Sequence, residues 1–251
     1  MIAIAASGRQ RLKVVQARDP QDLAQRQAQA VAAELSVAVQ ARGKAVLAVS
    51  GGRSPVALFQ ALRSCNLPWS QVTVTLVDDR QVPEHHPASN ARLVREHLCL
   101  GPAAELHLQT LVGADPGCAH WTQAQWQAQA GRASEALIKL GPADVVLFGM
   151  GADGHIASLF PNTSVLPRAL DPKGEDACVA VQLDPLPQEA GFHRLSQTLS
   201  HWLRSPRWML SVSGAEKMAV LEQALNGQGP EWPVSALLQA LGPPMTLWIS
   251  P

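Results

Sequence analysis

Short apolar runs alternate with amphipathic stretches along almost the whole chain, and this alternation limits the folds open to it. Ala45–Val49, Val72–Val77, Val145–Phe148, Trp208–Val212 and Met245–Ile249 are runs of strand length, dense in aliphatic and β-branched residues. Between them lie longer segments with apolar residues three and four apart, the spacing of a helix with one buried face. Strand–helix alternation of this kind predicts an α/β fold: a mostly parallel, Rossmann-like sheet with helices on both faces. No internal repeat and no linker divides the chain, so residues 1–251 are expected to form a single domain.

The first helix is expected from Asp19-Pro20, with Asp as N-cap and Pro in the first turn. Leu23, Ala24, Ala28, Val31, Leu35 and Ala38 form its apolar stripe, Gly43 ends it, and the Gln-rich remainder reads as a solvated face. Residues 11–16 read as an edge strand. Ser89-Asn90 is expected to cap a helix running through Leu100, and a minor strand is expected near 106–111. A helix from about Pro116 to Leu140, carrying Trp121, Trp126 and Ile138, precedes Gly141-Pro142. Cys178–Leu183 reads as a further strand, Asp184–Pro187 as a Pro-rich loop, and Arg194 as a loop residue. Gly214 closes the strand Trp208–Ser213 and places Lys217 in the first turn of a helix that stops near Gly227.

Composition narrows the partners. Hydrophobic residues make up 47% of the chain and charged residues 16%, enough apolar surface for a sizeable core. Twenty basic and twenty acidic residues cancel, which argues against a general nucleic-acid or anionic-membrane binder. No apolar run approaches the ~20 residues that span a bilayer, and the amino terminus lacks a signal-peptide pattern. A cytoplasmic protein, monomeric or homodimeric, is the expectation. Cys65, Cys99, Cys118 and Cys178 show neither metal-ligand nor disulfide-framework spacing and read as free thiols. No metal and no cofactor is expected.

The chemistry gathers at the carboxyl ends of the apolar runs. These carry Ser50-Gly51-Gly52-Arg53, Asp78-Asp79-Arg80, Asp153-Gly154-His155, and Gly214 with Lys217; Arg194 is expected to join them. In a doubly wound sheet such ends converge on one crevice. Two cations with a glycine turn suit a phosphate, and an imidazole beside a carboxylate suits acid–base catalysis. Gly149-x-Gly151-x-x-Gly154 matches a dinucleotide fingerprint letter for letter. Pro161 leaves no room for the long helix that fingerprint needs, and the glycines read instead as close-approach positions. G-x-S-x-G is absent, so no serine nucleophile is implied.

Three segments together resemble the 6-phosphogluconolactonase family, within the wider glucosamine-6-phosphate isomerase/deaminase superfamily. They are Ser50–Pro55, Val77–Pro83 with Ser89-Asn90, and Gly149–Pro161, with Arg194–Thr198 and Gly214–Lys217 fitting the same pattern. The resemblance implies hydrolysis of a sugar-phosphate lactone, 6-phospho-D-glucono-1,5-lactone, in the oxidative pentose phosphate pathway without a metal. By position it makes His155 the general base and Asp153 its support. It assigns the 6-phosphate to Arg194, Lys217 and the Gly51-Gly52 loop, and the sugar to Asp78 and Arg80. Departures from the pattern are Arg53-Ser54 for Ser-Thr, Asp79 for Glu, and an ending Trp248-Ile-Ser-Pro251 without an acid. Arg53 either adds to phosphate binding or points to solvent. The isomerases and deaminases of the superfamily end the His block in Asn-Glu-Pro, with a catalytic Glu. Phe160 stands at that Glu position here, which favours hydrolysis over isomerisation; a non-catalytic sugar-phosphate sensor is a second rival.

Overall fold

A computed structural model describes residues 12–183, 192–229, 231–240 and 242–251. Its core is a seven-stranded sheet in which every pairing is parallel. The strands are β1 (Leu12–Gln16), β2 (Ala45–Val49), β3 (Val72–Leu76), β5 (His107–Gln109), β6 (Val145–Gly149), β9 (Trp208–Ser213) and β10 (Met245–Ser250). Their order is β1-β10-β9-β6-β2-β3-β5. The first described strand therefore pairs with the last.

Alternation along each strand sends side chains to two cores. Leu47, Val49, Val145 and Leu147 pack on one face against α1 (Pro20–Arg42), α2 (Val56–Leu62), α3 (Asn90–His97) and α4 (Gln123–Leu140). Val46, Ala48, Val146 and Phe148 pack on the other. There they meet α5 (Leu166–Ala169), α6 (Leu199–Trp202), α7 (Ala215–Leu225) and α8 (Pro233–Gln239). Phe148 is held edge-on between Trp202 and Trp208, with ring centroids 5.0 and 5.9 Å away. β2 is buried at all five positions, as a strand covered on both faces must be.

The capping chemistry of α1 is as expected: the Asp19 side chain accepts the Asp22 N–H, and Gly43 closes the helix at φ 72°. All six residues of the expected stripe are buried, together with Gln27. Arg11 of the expected edge strand and the Asp184–Pro187 loop lie outside the described residues.

Several expectations change. The helix expected from Pro116 begins at Gln123, where Thr122 and Gln125 form a capping box that sets the start better than Pro116. Trp121 stays outside it, its indole donating to Asp115, and Ile138 faces solvent. α3 ends at His97 rather than Leu100, and the minor strand shortens to 107–109.

The larger revision is a second, three-stranded antiparallel sheet of order β4-β8-β7, built from β4 (Asp78–Arg80), β8 (Arg194–Gln197) and β7 (Cys178–Val181). Arg194 thus sits on a strand, directly opposite Arg80, and not on a loop. All four cysteines are free. Among the described residues no helix is long and apolar enough to cross a membrane.

Leu35 is fully buried where α1 meets the sheet. Leu35→Ala should lower the unfolding free energy by about 2–5 kcal/mol, read as a shift of the urea midpoint at unchanged m-value.

Candidate active site

The strand order reverses at the β2–β6 pair. From β2 the chain proceeds outward through β3 and β5, and from β6 outward the other way through β9 and β10. Ligands in such sheets bind beyond the carboxyl ends at this point. A cavity of about 390 Å³ opens there. Ser50, Gly51, Gly52, Arg53, Asp78, Arg80, His155, Arg194 and Lys217 all line it, so the expected residues converge.

Ser50 joins the two central strand ends. Its hydroxyl donates to the Leu147 carbonyl at 2.9 Å and accepts the Gly149 N–H at 3.2 Å. Gly51 is required by a close approach: a Cβ there would lie 1.8 Å from Asn90 Oδ1. Arg53 is exposed at the rim.

Beyond Gly149 the chain makes a tight turn instead of a helix, which disposes of the dinucleotide reading. The Gly151 N–H bonds the His155 carbonyl, and the Gly154 N–H bonds the Gly151 carbonyl. His155 Nδ1 lies 2.5 Å from Asp153 Oδ1, which also accepts the His155 backbone N–H at 3.2 Å. With the carboxylate ionised, Nδ1 is the donor and Nε2 is left as the basic nitrogen. Asp153 does not line the cavity; it acts on the imidazole from behind. Burial opposes its ionisation, but the hydrogen bond and charge of His155 outweigh that and hold the carboxyl below its usual range.

Three contacts set this turn. A Cβ on Gly151 would come 2.1 Å from His155 Nδ1, so only glycine admits the imidazole. Gly154 has φ 75°, and a Cβ there would meet the Trp232 ring at 2.5 Å. Phe160 lies against His155 with ring centroids 4.4 Å apart and a 32° tilt. Ala157, also lining the cavity, holds φ 50°, an uncommon angle for a residue with a side chain.

Behind the turn lies a cluster of charges. Ser158 Oγ donates to Asp78 Oδ2 at 2.5 Å, tying the His155 segment to β4. Asn90 donates to the Asp78 carbonyl and accepts from Arg80 Nη1 at 2.7 Å. Arg194 is 4% exposed and carries its guanidinium 5.3 Å from the Phe160 ring centroid. Burial and the neighbouring Arg80 both lower its pKa from the usual arginine value.

Asp79 turns away from the cavity. It accepts the N–H groups of Arg80, Asn90 and Ala91, two of which open α3. Its role is to cap that helix and so to seat Asn90. The shorter acid at this position therefore has a structural use. Burial nevertheless pushes its carboxyl up to about 7, against those hydrogen bonds.

Sequence reasoning passed over Asn90 as a site organiser, along with Ser158, Ser211, Ser213 and Gln27; four of these five line the cavity, and Ser158 holds Asp78, which also lines it. Asn90 and Ser158 stood inside the segments that carry the family resemblance, and Gln27 lies three residues after Ala24 and four before Val31, on the apolar stripe; Ser211 and Ser213 carried no signal.

The fold and the site define a doubly wound α/β protein with a cationic small-molecule crevice and a histidine–aspartate pair at its switch point. The family model described as glucosamine-6-phosphate isomerases/6-phosphogluconolactonase matches residues 18–248, and the chain belongs to that family. A 6-phosphogluconolactonase from Rhizobium meliloti is 39% identical over 235 residues, covering 93% of this chain and 96% of the relative. One from Pseudomonas aeruginosa is 39% identical over 219 residues, 86% of each chain. The crystal structure of a 6-phosphogluconolactonase from Shewanella baltica superposes with a TM-score of 0.83 at 35% identity, covering 96% of this chain and 97% of that one.

The Asp79 carboxyl has a sign that can be checked. An unfolded aspartate titrates near ~3.9, and the folded one at about 7. Folding therefore binds a proton between these values. The group's contribution is most favourable below about pH 4, declines up to about pH 7, and is flat above. Asp79→Asn should remove this decline, so that urea unfolding at pH 5 and pH 7.5 differs less for the variant than for the parent.

Proposed function

We propose that the chain is a 6-phosphogluconolactonase, hydrolysing 6-phospho-D-glucono-1,5-lactone to 6-phospho-D-gluconate in the oxidative pentose phosphate pathway. The observation that carries this reading is the environment of His155: Asp153 on one ring nitrogen, the cavity beyond, and Phe160 against the ring face. An isomerase or deaminase would need a further acid–base group where Phe160 stands. An apolar ring there leaves one base, which is what water attack on an ester requires.

In this mechanism His155 Nε2 takes a proton from a water as its oxygen bonds to the lactone carbonyl carbon. Asp153 holds the ring in the reactive tautomer and stabilises the imidazolium. The tetrahedral intermediate then collapses, the bond from C1 to the ring oxygen breaks, and the imidazolium returns its proton to that oxygen. Water is the only co-reactant, and no acyl-enzyme forms.

Arg194, Lys217 and the Gly51-Gly52 loop hold the 6-phosphate. A phosphate would bring opposite charge to Arg80 and Arg194, which face each other and both line the cavity, and this supports the placement. Asp78 and Arg80, steadied by Ser158 and Asn90, line the sugar site. Ser50 sets the strand ends, and Arg53 stands at the mouth.

The test supplies freshly generated lactone and follows its loss above the spontaneous rate. His155→Ala should lower kcat by about 10²–10⁴-fold, whereas Lys217→Ala should act chiefly on KM. Absence of acceleration by the parent protein would refute the assignment. Ammonia release from glucosamine 6-phosphate would replace it with the deaminase reading.

A further inference from the structure

Gln27 lies on the buried stripe of α1 among Leu23, Ala24, Ala28 and Val31, and is only 1% exposed. Its Oε1 accepts a hydrogen bond from Ser211 Oγ at 2.9 Å. Its Nε2 has no hydrogen-bond partner among the described residues. The same side chain lines the cavity at the strand ends, together with Ser211, Ser213 and Lys217. Buried amide donors are rarely left unsatisfied without a reason.

The surroundings show what the donor serves. Because the Ser211 hydroxyl donates, it turns the carboxamide oxygen toward itself and leaves the NH₂ group for another partner. Gly149 stands opposite Ser211 in the β6–β9 register, and a Cβ there would meet nothing within 4 Å. The glycine thus leaves open space at the strand end beside Ser211, the partner of the carboxamide. Asp78 is the single carboxylate in the cavity lining among the described residues. The lining is otherwise rich in donors and cations, the chemistry of an anion pocket.

We propose that Gln27 is a further substrate-binding residue whose Nε2–H donates to a phosphoryl oxygen of the bound sugar phosphate, with Ser211 as the positioning residue that presents it. The proposal rests on the sugar-phosphate reading of the cleft. It recruits a residue of the first helix to a site otherwise built from strand ends and the segments that follow them. The donor acts on the phosphate alone and takes no part in proton transfer.

Direct titration with inorganic phosphate tests it without relying on turnover. Gln27→Leu removes both polar atoms; Gln27→Glu keeps an acceptor for Ser211 but lacks the donor and adds charge. Both should weaken phosphate binding by about tenfold or more, the scale of one hydrogen bond to a charged group. In steady-state hydrolysis both should raise KM by a similar factor and leave kcat within about twofold. Ser211→Ala should weaken phosphate in the parent but not further in Gln27→Leu, because the hydroxyl acts only through the carboxamide.

Unchanged phosphate affinity in a folded Gln27→Leu or Gln27→Glu protein would overturn the proposal, as would a loss confined to kcat. Lys217→Ala separates the two levels of inference. If it too leaves phosphate binding intact, the phosphate reading of the cleft fails; if it abolishes binding while the Gln27 variants retain it, only the role of Gln27 fails.

Discussion

Everything at the site depends on the side-by-side pairing of β2 and β6. Val49 and Leu147 are register partners at the centre of the sheet, and the chain leaves their strands toward opposite edges. No crossover covers the gap between the two carboxyl ends, so a crevice must form there. Ser50 then ties the two ends with paired hydrogen bonds through one hydroxyl. The Gly51 loop and the Gly151 turn leave from those ends, which is why residues about a hundred positions apart meet in one cavity.

The second constraint is the cost of burying charge. Asp78, Asp79 and Arg194 are each at most 4% exposed, a severe penalty unless every group is partnered. Around the antiparallel β4–β8 pair, where Arg80 faces Arg194, Ser158 donates to Asp78 and α3 supplies N–H groups to Asp79. Asn90 serves as helix opener, Arg80 acceptor and the group against which Gly51 packs. A rigid charged wall results, and Phe160 carries its influence to the imidazole by touching both His155 and Arg194. His155, Phe160 and Arg194 are thus joined by one continuous set of contacts.

Much of this was legible in the residues. The caps and stripe of α1, the buried run of β2 and the span of β9 follow from local rules, because periodicity and capping act within a few residues. The glycine turn around His155 was legible for the same reason, and Pro161 excluded a dinucleotide helix. The start of α4 was misplaced because Pro116 competes with a capping box that becomes decisive only when Thr122 and Gln125 bond each other. Arg194 was taken for a loop residue because a four-residue strand has no period of its own. It is a strand only by virtue of its partners β4 and β7.

By itself, the order of apolar runs, glycines and charged strand ends determined an α/β sheet and the residue types gathered at its carboxyl edge. Short-range forces, helix capping and the backbone freedom of glycine, carry that information in neighbouring residues. Only the tertiary structure decided which strand ends lie side by side, that Arg80 faces Arg194 across an antiparallel pair, and that Gln27 turns inward to the cavity. Those outcomes depend on long-range pairing and on the need to satisfy buried polar groups. Neither is written in any one stretch of the chain.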